Sequence, residues 1–190
     1  AKARRKAKQA VQLRGSGGAP ELSLAEGLRY HLFLSHTWAT GQDQVALMKR
    51  RLLALMPGRG RTAEARQRSA PKIFRDVDDL QDTDALEGYV AASACVLIFL
   101  TRGYFLSPAC LREARAAVQA NKPLIIVHEA DTTKGGGPLA ELIAECPADL
   151  VRLIFRPRGE PPPEETEKEG SDAHGDQANG SGAGDGGDGG

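Results

Sequence analysis

Short apolar runs recur along the chain at intervals and predict β-strands. The run at 95–101 is apolar on both alternating faces, as a central strand of a parallel sheet must be. The run from Tyr30 to Ser35 mixes aliphatic and aromatic residues and suits a second buried strand. Five strands are predicted in all, at residues 30–35, 72–75, 95–101, 122–128 and 151–155, the last of them at an edge of the sheet.

Apolar residues at helical spacing fill the intervals between several of these runs. From Asp43, a suitable N-cap, five apolar residues recur at this spacing until Pro57-Gly58 ends the pattern. A polar loop, 36–41, is expected before that helix, and an Arg-rich mobile surface loop, 59–70, after it. Further helices are predicted at residues 84–93, 107–120 and 139–146, with an acidic loop at 76–84 and a Gly-rich loop at 131–138.

Strands that alternate with helices predict an α/β fold. We expect a flavodoxin-like three-layer sandwich in which a five-stranded, mainly parallel sheet is flanked by helices, built from residues 28–158. Ligands bind such sheets beyond the carboxyl ends of the strands, where the strand order reverses. In this order the reversal lies between the first and third strands, so residues 35–38 and 102–107 should meet there.

Composition changes sharply outside this domain. Residues 1–27 begin with a basic stretch and continue into a Gly/Ser/Pro-containing segment, which predicts a linker. Residues 159–190 carry nine acids against Lys168 alone and predict a disordered tail. The domain itself has no basic excess, so no specific nucleic-acid partner is expected.

The totals favour a soluble cytoplasmic protein. The chain of 190 residues is 41% hydrophobic and 26% charged with a formal net charge of zero, and no apolar window is long enough to predict a transmembrane segment. Its three cysteines, Cys95, Cys110 and Cys146, have neither disulfide-framework nor metal-site spacing and are expected to be reduced thiols. No metal site is predicted.

The helix at 107–120 carries the most informative carboxylate. Ser107 suits its N-cap and Pro108 its first position, since proline lacks only an N–H that would be unsatisfied there. Glu113 lies too late to close a capping box, and the residues three and four positions away from it are alanines and Cys110. Exposed charge is the norm for a helical glutamate. The predicted fold nevertheless brings Glu113 near the generic ligand site, so both interpretations remain open.

Three segments in order resemble the Toll/interleukin receptor (TIR) domain family. Residues 30–36, Tyr-His-Leu-Phe-Leu-Ser-His, resemble its first box, and 73–80, Ile-Phe-Arg-Asp-Val-Asp-Asp-Leu, its second strand and the entry to its BB loop. Residues 107–113, Ser-Pro-Ala-Cys-Leu-Arg-Glu, match the plant-type motif of Ser, two residues, Cys-Leu, one residue, Glu. The chain differs from the plant pattern at 35–38, where Ser-His-Thr-Trp replaces Phe-Arg-Gly.

The resemblance implies two alternative functions. Many members of the family hydrolyse or cyclise NAD at the nicotinamide-ribose bond, with NAD as substrate and no further cofactor, and the motif then places the catalytic glutamate at Glu113. Other members are non-catalytic scaffolds of signal transduction. In both cases the partners are other TIR domains, and among the enzymes the BB loop of one protomer often completes the site of its neighbour.

The NAD-cleaving alternative is chemically coherent with one carboxylate. Nicotinamide leaves a cationic glycosidic linkage as a neutral base and needs no general acid, so Glu113 can suffice by stabilising or trapping the oxocarbenium-like centre. Several side chains are candidates for contacting the substrate, although each also has a structural role to fill in packing, capping or a solvated loop. These substrate-binding candidates are Ser35, His36, Trp38, Phe74, Asp76, Tyr104, Ser107 and Cys110.

Two other classes of protein share this kind of sheet. Nucleoside deoxyribosyltransferases also use a glutamate, but the Phe-Arg-Asp segment at 74–76 fits TIR domains better. A phospho-receiver needs an acidic pair after the first strand and an aspartate after the third, where this chain has Ser35-His36 and Thr101-Arg102. The receiver alternative is therefore disfavoured.

Overall fold

The computed structural model describes residues 11–12, 14–15, 17–18, 20, 22–59, 61–75 and 86–155. All of them belong to one compact unit, Ala1–Arg158. Both predicted terminal segments lie mostly or wholly outside the described residues, as does the predicted acidic loop at 76–84.

The described residues form an α/β fold around a four-stranded sheet. Its strands are β1 (Leu32–His36), β2 (Ile73–Arg75), β3 (Val96–Leu100) and β4 (Leu124–His128). They lie in the order β2-β1-β3-β4, and every adjacent pair is parallel. This order is compatible with a flavodoxin-like fold, and it places the carboxyl ends of β1 and β3 side by side.

Six α-helices connect and follow the strands in the described residues. They are α1 (Trp38–Leu55), α2 (Ala63–Ser69), α3 (Leu86–Ala91), α4 (Pro108–Gln119), α5 (Leu139–Ala144) and α6 (Ala148–Ile154). The predictions for α3, α4 and α5 are confirmed, with end residues differing by a few positions.

Side chains alternate between the two faces of the sheet and divide the core into two clusters. On one face Leu34 and Phe99 pack with Val45 of α1. On the other face Phe33 and Ile98 pack with residues of α3, α4, α5 and α6, among them Ala117. The helices therefore form a layer on each face, and the period of two along β1 decides which face each of its side chains meets.

The predicted fifth strand is wrong, because residues 148–154 form α6 and four strands are found in the described residues. The apolar residues Val151, Leu153 and Ile154 suggested a strand. However, Leu150 and Ile154 are four positions apart and both are buried, which is the spacing of one helix face. Asp149 lies in the first turn, where a negative charge favours the helix dipole.

Two further predictions are wrong, and they concern the loops expected before and after the first helix. Residues 59–70 are not a loop throughout, because α2 forms there with the Thr62 side chain accepting a hydrogen bond from the Ala65 N–H at 3.1 Å. The polar loop predicted after β1 is also absent from the described structure. His36 ends the strand and α1 begins at Trp38 rather than near Asp43.

Candidate active site

The candidate site lies where β1 and β3 end beside the first turns of α4. Ser35, the last residue but one of β1, pairs in register with Ile98, the middle residue of β3. Residues 101–107 then turn from β3 into α4. This is the position that the sequence predicted for a ligand site, between the first and third strands of the sheet.

The start of α4 is fixed as its sequence predicts. Ser107 is the N-cap, with its side chain accepting from the Cys110 N–H at 3.4 Å, and Pro108 occupies the first turn. The inward face of the helix carries small residues, which allow it to approach the sheet closely. Its buried residues are Cys110, Glu113, Ala114, Ala116 and Ala117.

Glu113 is a buried carboxylate rather than a solvated one. Its side chain is 3% exposed, so the interpretation of Glu113 as an ordinary surface glutamate is wrong. Ser35 donates a hydrogen bond to Glu113 Oε2, and Ser35 Oγ is also hydrogen-bonded to the Tyr104 hydroxyl. A buried carboxylate requires such donors, since burial alone disfavours its charge.

Tyr104 brings a buried phenol into the same network. Its ring is fully buried and contacts Phe105 edge-on, with ring centroids 5.0 Å apart. Burial raises the pKa of the Tyr104 phenol well above its usual value, and the negative charge of Glu113 raises it further. The phenol is therefore protonated at neutral pH and carries a proton that it can donate.

Ser35 and His36 point to opposite faces of the sheet. Ser35 faces α4 with Phe33, whereas the His36 side chain lies against Gly41 of α1, with its Cβ 3.1 Å from where a Cβ on that glycine would be. The backbone carbonyl of His36 accepts a hydrogen bond from Cys110 Sγ at 3.4 Å. Neither His36 nor Cys110 is set up as a nucleophile-base pair by these contacts.

The structure separates the three aromatic candidates. Trp38 is 61% exposed at the start of α1, close to the end of β1. Phe74 is fully buried between Phe33 and Tyr89, at centroid distances of 5.0 and 4.5 Å. Phe74 and Tyr104 have no exposed ring face on which a nucleobase can stack, so of the three only Trp38 presents one. Asp76 lies outside the described residues.

A cluster of three hydroxyls joins the ends of β1 and β3, and sequence reasoning missed it. Thr37 Oγ1 lies 2.5 Å from Thr40 Oγ1 and 2.9 Å from Thr101 Oγ1, and the last two atoms are 2.8 Å apart. The available signal was a threonine directly after each of two neighbouring parallel strands. Because each hydroxyl can donate once and accept once around this ring, the cluster satisfies itself and fastens α1 to the end of β3.

The Gly-rich segment after β4 packs onto this cluster. Arg102 Nε donates to the Gly136 carbonyl at 2.9 Å, and the Arg102 N–H donates to the Gly135 carbonyl at the same distance. Gly135 has a φ of 79°, and a Cβ there would lie 2.5 Å from Thr40 Cβ. Glycines are needed in this segment because it approaches α1 and the turn after β3 too closely to leave room for side chains.

Gly135→Ala is expected to destabilise the protein more than Gly103→Ala. The two glycines have nearly equal φ angles, 79° and 78°, but nothing lies within 4 Å of a Cβ at Gly103. In both variants, strain in the left-handed backbone should lower the free energy of unfolding by about 1–2 kcal/mol. In Gly135→Ala the clash with Thr40 should lower it by roughly 1–3 kcal/mol more. Urea unfolding measures both losses. Equal losses in the two variants would show that this segment is not held against α1.

Other features of the described residues lie away from this site. A cleft of about 580 Å³ is lined by Val11, Leu22 and residues 55–59, at the carboxyl-terminal end of α1 and so at the opposite end of that helix from Trp38. No group of three or more potential metal ligands is found among the described residues. Within that part of the chain, no helix combines the length and the apolar character that crossing a membrane requires.

A scan against models of known protein families and a search of curated proteins find no match to this chain. The site is therefore interpreted from its own geometry and from the motifs in the sequence.

Proposed function

We propose that this chain is a TIR-type domain that cleaves NAD at the nicotinamide-ribose bond through Glu113. The observation that carries the proposal is the placement of Glu113. One buried carboxylate, hydrogen-bonded by Ser35, lies at the carboxyl ends of β1 and β3 in a parallel α/β sheet. The same residue ends the motif that resembles the TIR family.

The reaction is one that a single carboxylate can support. The bond between ribose C1′ and the pyridinium nitrogen breaks, and its electron pair neutralises the departing nicotinamide. Positive charge then develops at C1′ and the ring oxygen, where the Glu113 carboxylate stabilises it or forms a transient ester. Attack by water at C1′, with loss of one proton, gives ADP-ribose, whereas attack by a base nitrogen of the same molecule gives a cyclic product.

Burial makes Glu113 a stronger electrostatic partner than a surface glutamate. Attraction between opposite charges increases as water is excluded, and a fixed carboxylate needs no reorganisation when the positive charge forms. The exposed ring of Trp38 at the start of α1 is the described aromatic candidate for contact with the substrate. The proposed location is the cytosol, in keeping with the free thiols Cys95, Cys110 and Cys146.

A scaffold that acts by self-association is the second candidate. Leu106, directly before the cap of α4, is 72% exposed, and Trp38 is 61% exposed. Both have large apolar side chains, and both belong to the two segments, 35–38 and 102–107, that meet at the candidate site. Burying these side chains against another molecule would be favourable, because it removes apolar surface from water. Such an interface serves the scaffold alone, or it assembles the enzyme from two copies.

Clustering the protein should separate these candidates. We expect purified protein on a multivalent support to release nicotinamide from NAD at least about tenfold faster per molecule than the same protein in dilute solution, because clustering raises the effective concentration of neighbours. Chromatography of nicotinamide and ADP-ribose measures the rate. The control is an unrelated protein on the same support.

Each alternative outcome has a definite meaning. Equal rates in solution and on the support would show that one chain completes the active site. No release under either condition would leave the scaffold as the function, and self-association would then be measured directly by light scattering.

A further inference from the structure

The directions of the hydrogen bonds around Ser35 assign a role to Tyr104. A serine hydroxyl has one proton, and Ser35 donates it to Glu113 Oε2. The bond between Ser35 Oγ and the Tyr104 hydroxyl must therefore be donated by the tyrosine. Tyr104 therefore donates to Ser35, and Ser35 donates to Glu113. These two consecutive hydrogen bonds are called the relay below.

We propose that Tyr104 is a positioning residue that acts through Ser35 to keep Glu113 ionised and correctly oriented. It does not touch the substrate in this role, because its hydroxyl is bonded to Ser35 and acts on Glu113 through that serine. The importance of this relay for catalysis rests on the proposed function, but its effect on the charge of Glu113 does not.

The backbone around Tyr104 holds the phenol in place. Gly103 adopts a φ of 78°, and the Tyr104 N–H donates to the Thr101 carbonyl at 3.2 Å in the turn that follows β3. The Ser107 N–H donates back to the Tyr104 carbonyl at 3.3 Å, at the cap of α4. The donor and the acceptor of the relay are therefore carried by segments that are bonded to each other, which fixes their separation.

Two thiols lie beside this network. Cys110 lies one turn before Glu113 on α4, and Cys146 after α5 is close enough to influence the Tyr104 phenol. Glu145, at the end of α5, accepts a hydrogen bond from the Gly103 N–H at 2.8 Å and so lies beside the turn that carries Tyr104. Two carboxylates of the other neighbouring helices are held at the surface by arginines of α4. Glu87 of α3 pairs with Arg112 at 2.8 Å, and Asp149 of α6 pairs with Arg115 at 2.6 Å.

The relay offsets the cost of burying a charge. Each hydrogen bond donated to a buried carboxylate favours its ionised form, and a serine that accepts from tyrosine is a more polarised donor than a free one. Removing the phenolic proton leaves Ser35 with an unfilled acceptor site and allows its hydroxyl to rotate. We therefore expect Glu113 to be protonated more readily and to be less well oriented.

Tyr104→Phe tests this role in two ways. In protein labelled with ¹³C at the glutamate carboxyl carbons, with the Glu113 signal assigned by its loss in Glu113→Gln, the titration of Glu113 should move to higher pH. In the clustered protein, kcat for nicotinamide release should fall about 10- to 100-fold with KM nearly unchanged, the size expected for losing a hydrogen bond that supports a buried charge. The acid limb of the pH profile should move upward with the titration.

Tyr89→Phe is the matched control, because Tyr89 is a partly buried tyrosine that packs against the same core cluster but stacks on Phe74 instead of bonding Ser35. It should leave the Glu113 titration unchanged. Ser35→Ala supplies a second test should Tyr104→Phe fold poorly. It should shift the titration upward, and adding Tyr104→Phe to it should cause no further shift, since the link is already broken.

The proposal is overturned if Tyr104→Phe titrates like the parent, or if the effects of the two substitutions simply add. A shifted titration in a protein that releases no nicotinamide would keep the relay and reject the enzyme. An unshifted titration in a protein that does release nicotinamide would reject the relay and keep the enzyme.

Discussion

Glu113→Gln is expected to lower kcat/KM for nicotinamide release roughly 10³-fold or more, with binding of NAD retained. The amide has nearly the shape of the carboxylate, so it fills the same buried space beside Ser35. It carries no charge, however, and cannot stabilise the positive centre at C1′ or trap it as an ester. A loss of this size is typical of removing one preorganised electrostatic group from an enzyme.

The expected effect of Glu113→Gln on folding is small. Ser35 can donate to the amide oxygen as it does to the carboxylate. The free energy of unfolding should therefore change by about 1–2 kcal/mol at most. Glu141→Gln is the control, since Glu141 is exposed and pairs with Arg102 at 2.9 Å on the surface. Unfolding curves and rates are measured on both variants. If Glu113→Gln kept the parent's rate, Glu113 would have no part in the chemistry.

The sequence predicted the parts of the fold that have strong local patterns. The five apolar residues of β3 are all buried, as expected for a central strand, and α4 begins at the cap predicted from Ser107 and Pro108. These features need little tertiary information. A run that is apolar on both faces has few alternatives inside a sheet, and a capped helix end is a local structure.

Weaker patterns gave wrong elements near the ends of the domain. Residues 148–154 contain β-branched and aliphatic side chains that suit either a strand or a short buried helix. Which one forms depends on whether Leu150 and Ile154 find the core together, and that is decided by packing against residues distant in sequence. A different reason applies to α2, where seven polar or small residues form a helix with no buried side chain, so no apolar periodicity marks it in the sequence.

The sequence predicted where the candidate site lies but not which side chains contact each other there. The predicted topology brought residues 35–38 and 102–107 together, and in the structure Ser35 is hydrogen-bonded to Tyr104 and to Glu113 there. The strand period of two could also have shown that Ser35 and His36 face opposite sides. No local pattern could show that Tyr104 faces inward as a hydrogen-bond donor, because the turn after β3 sets its direction.

Phe74→Ala is expected to destabilise the protein by about 3–5 kcal/mol, the usual cost of removing a buried phenylalanine. Phe74 is fully buried on β2 and stacks between Phe33 and Tyr89, while Tyr30 meets its edge at a centroid distance of 5.1 Å. Alanine would leave a cavity among the three rings of Phe33, Tyr89 and Tyr30, and Phe33 cannot move inward freely because β1 holds it. Thermal or urea unfolding measures the loss.

Two further substitutions distinguish a core residue from one that contacts substrate. Trp38→Ala, at a side chain that is 61% exposed, should cost about 1 kcal/mol or less. Phe74→Leu keeps most of the buried volume, so it should cost less than Phe74→Ala and, below its unfolding temperature, leave KM for NAD unchanged. A raised KM in Phe74→Leu with little loss of stability would contradict the core role, since it would mean that the aromatic face contacts the substrate.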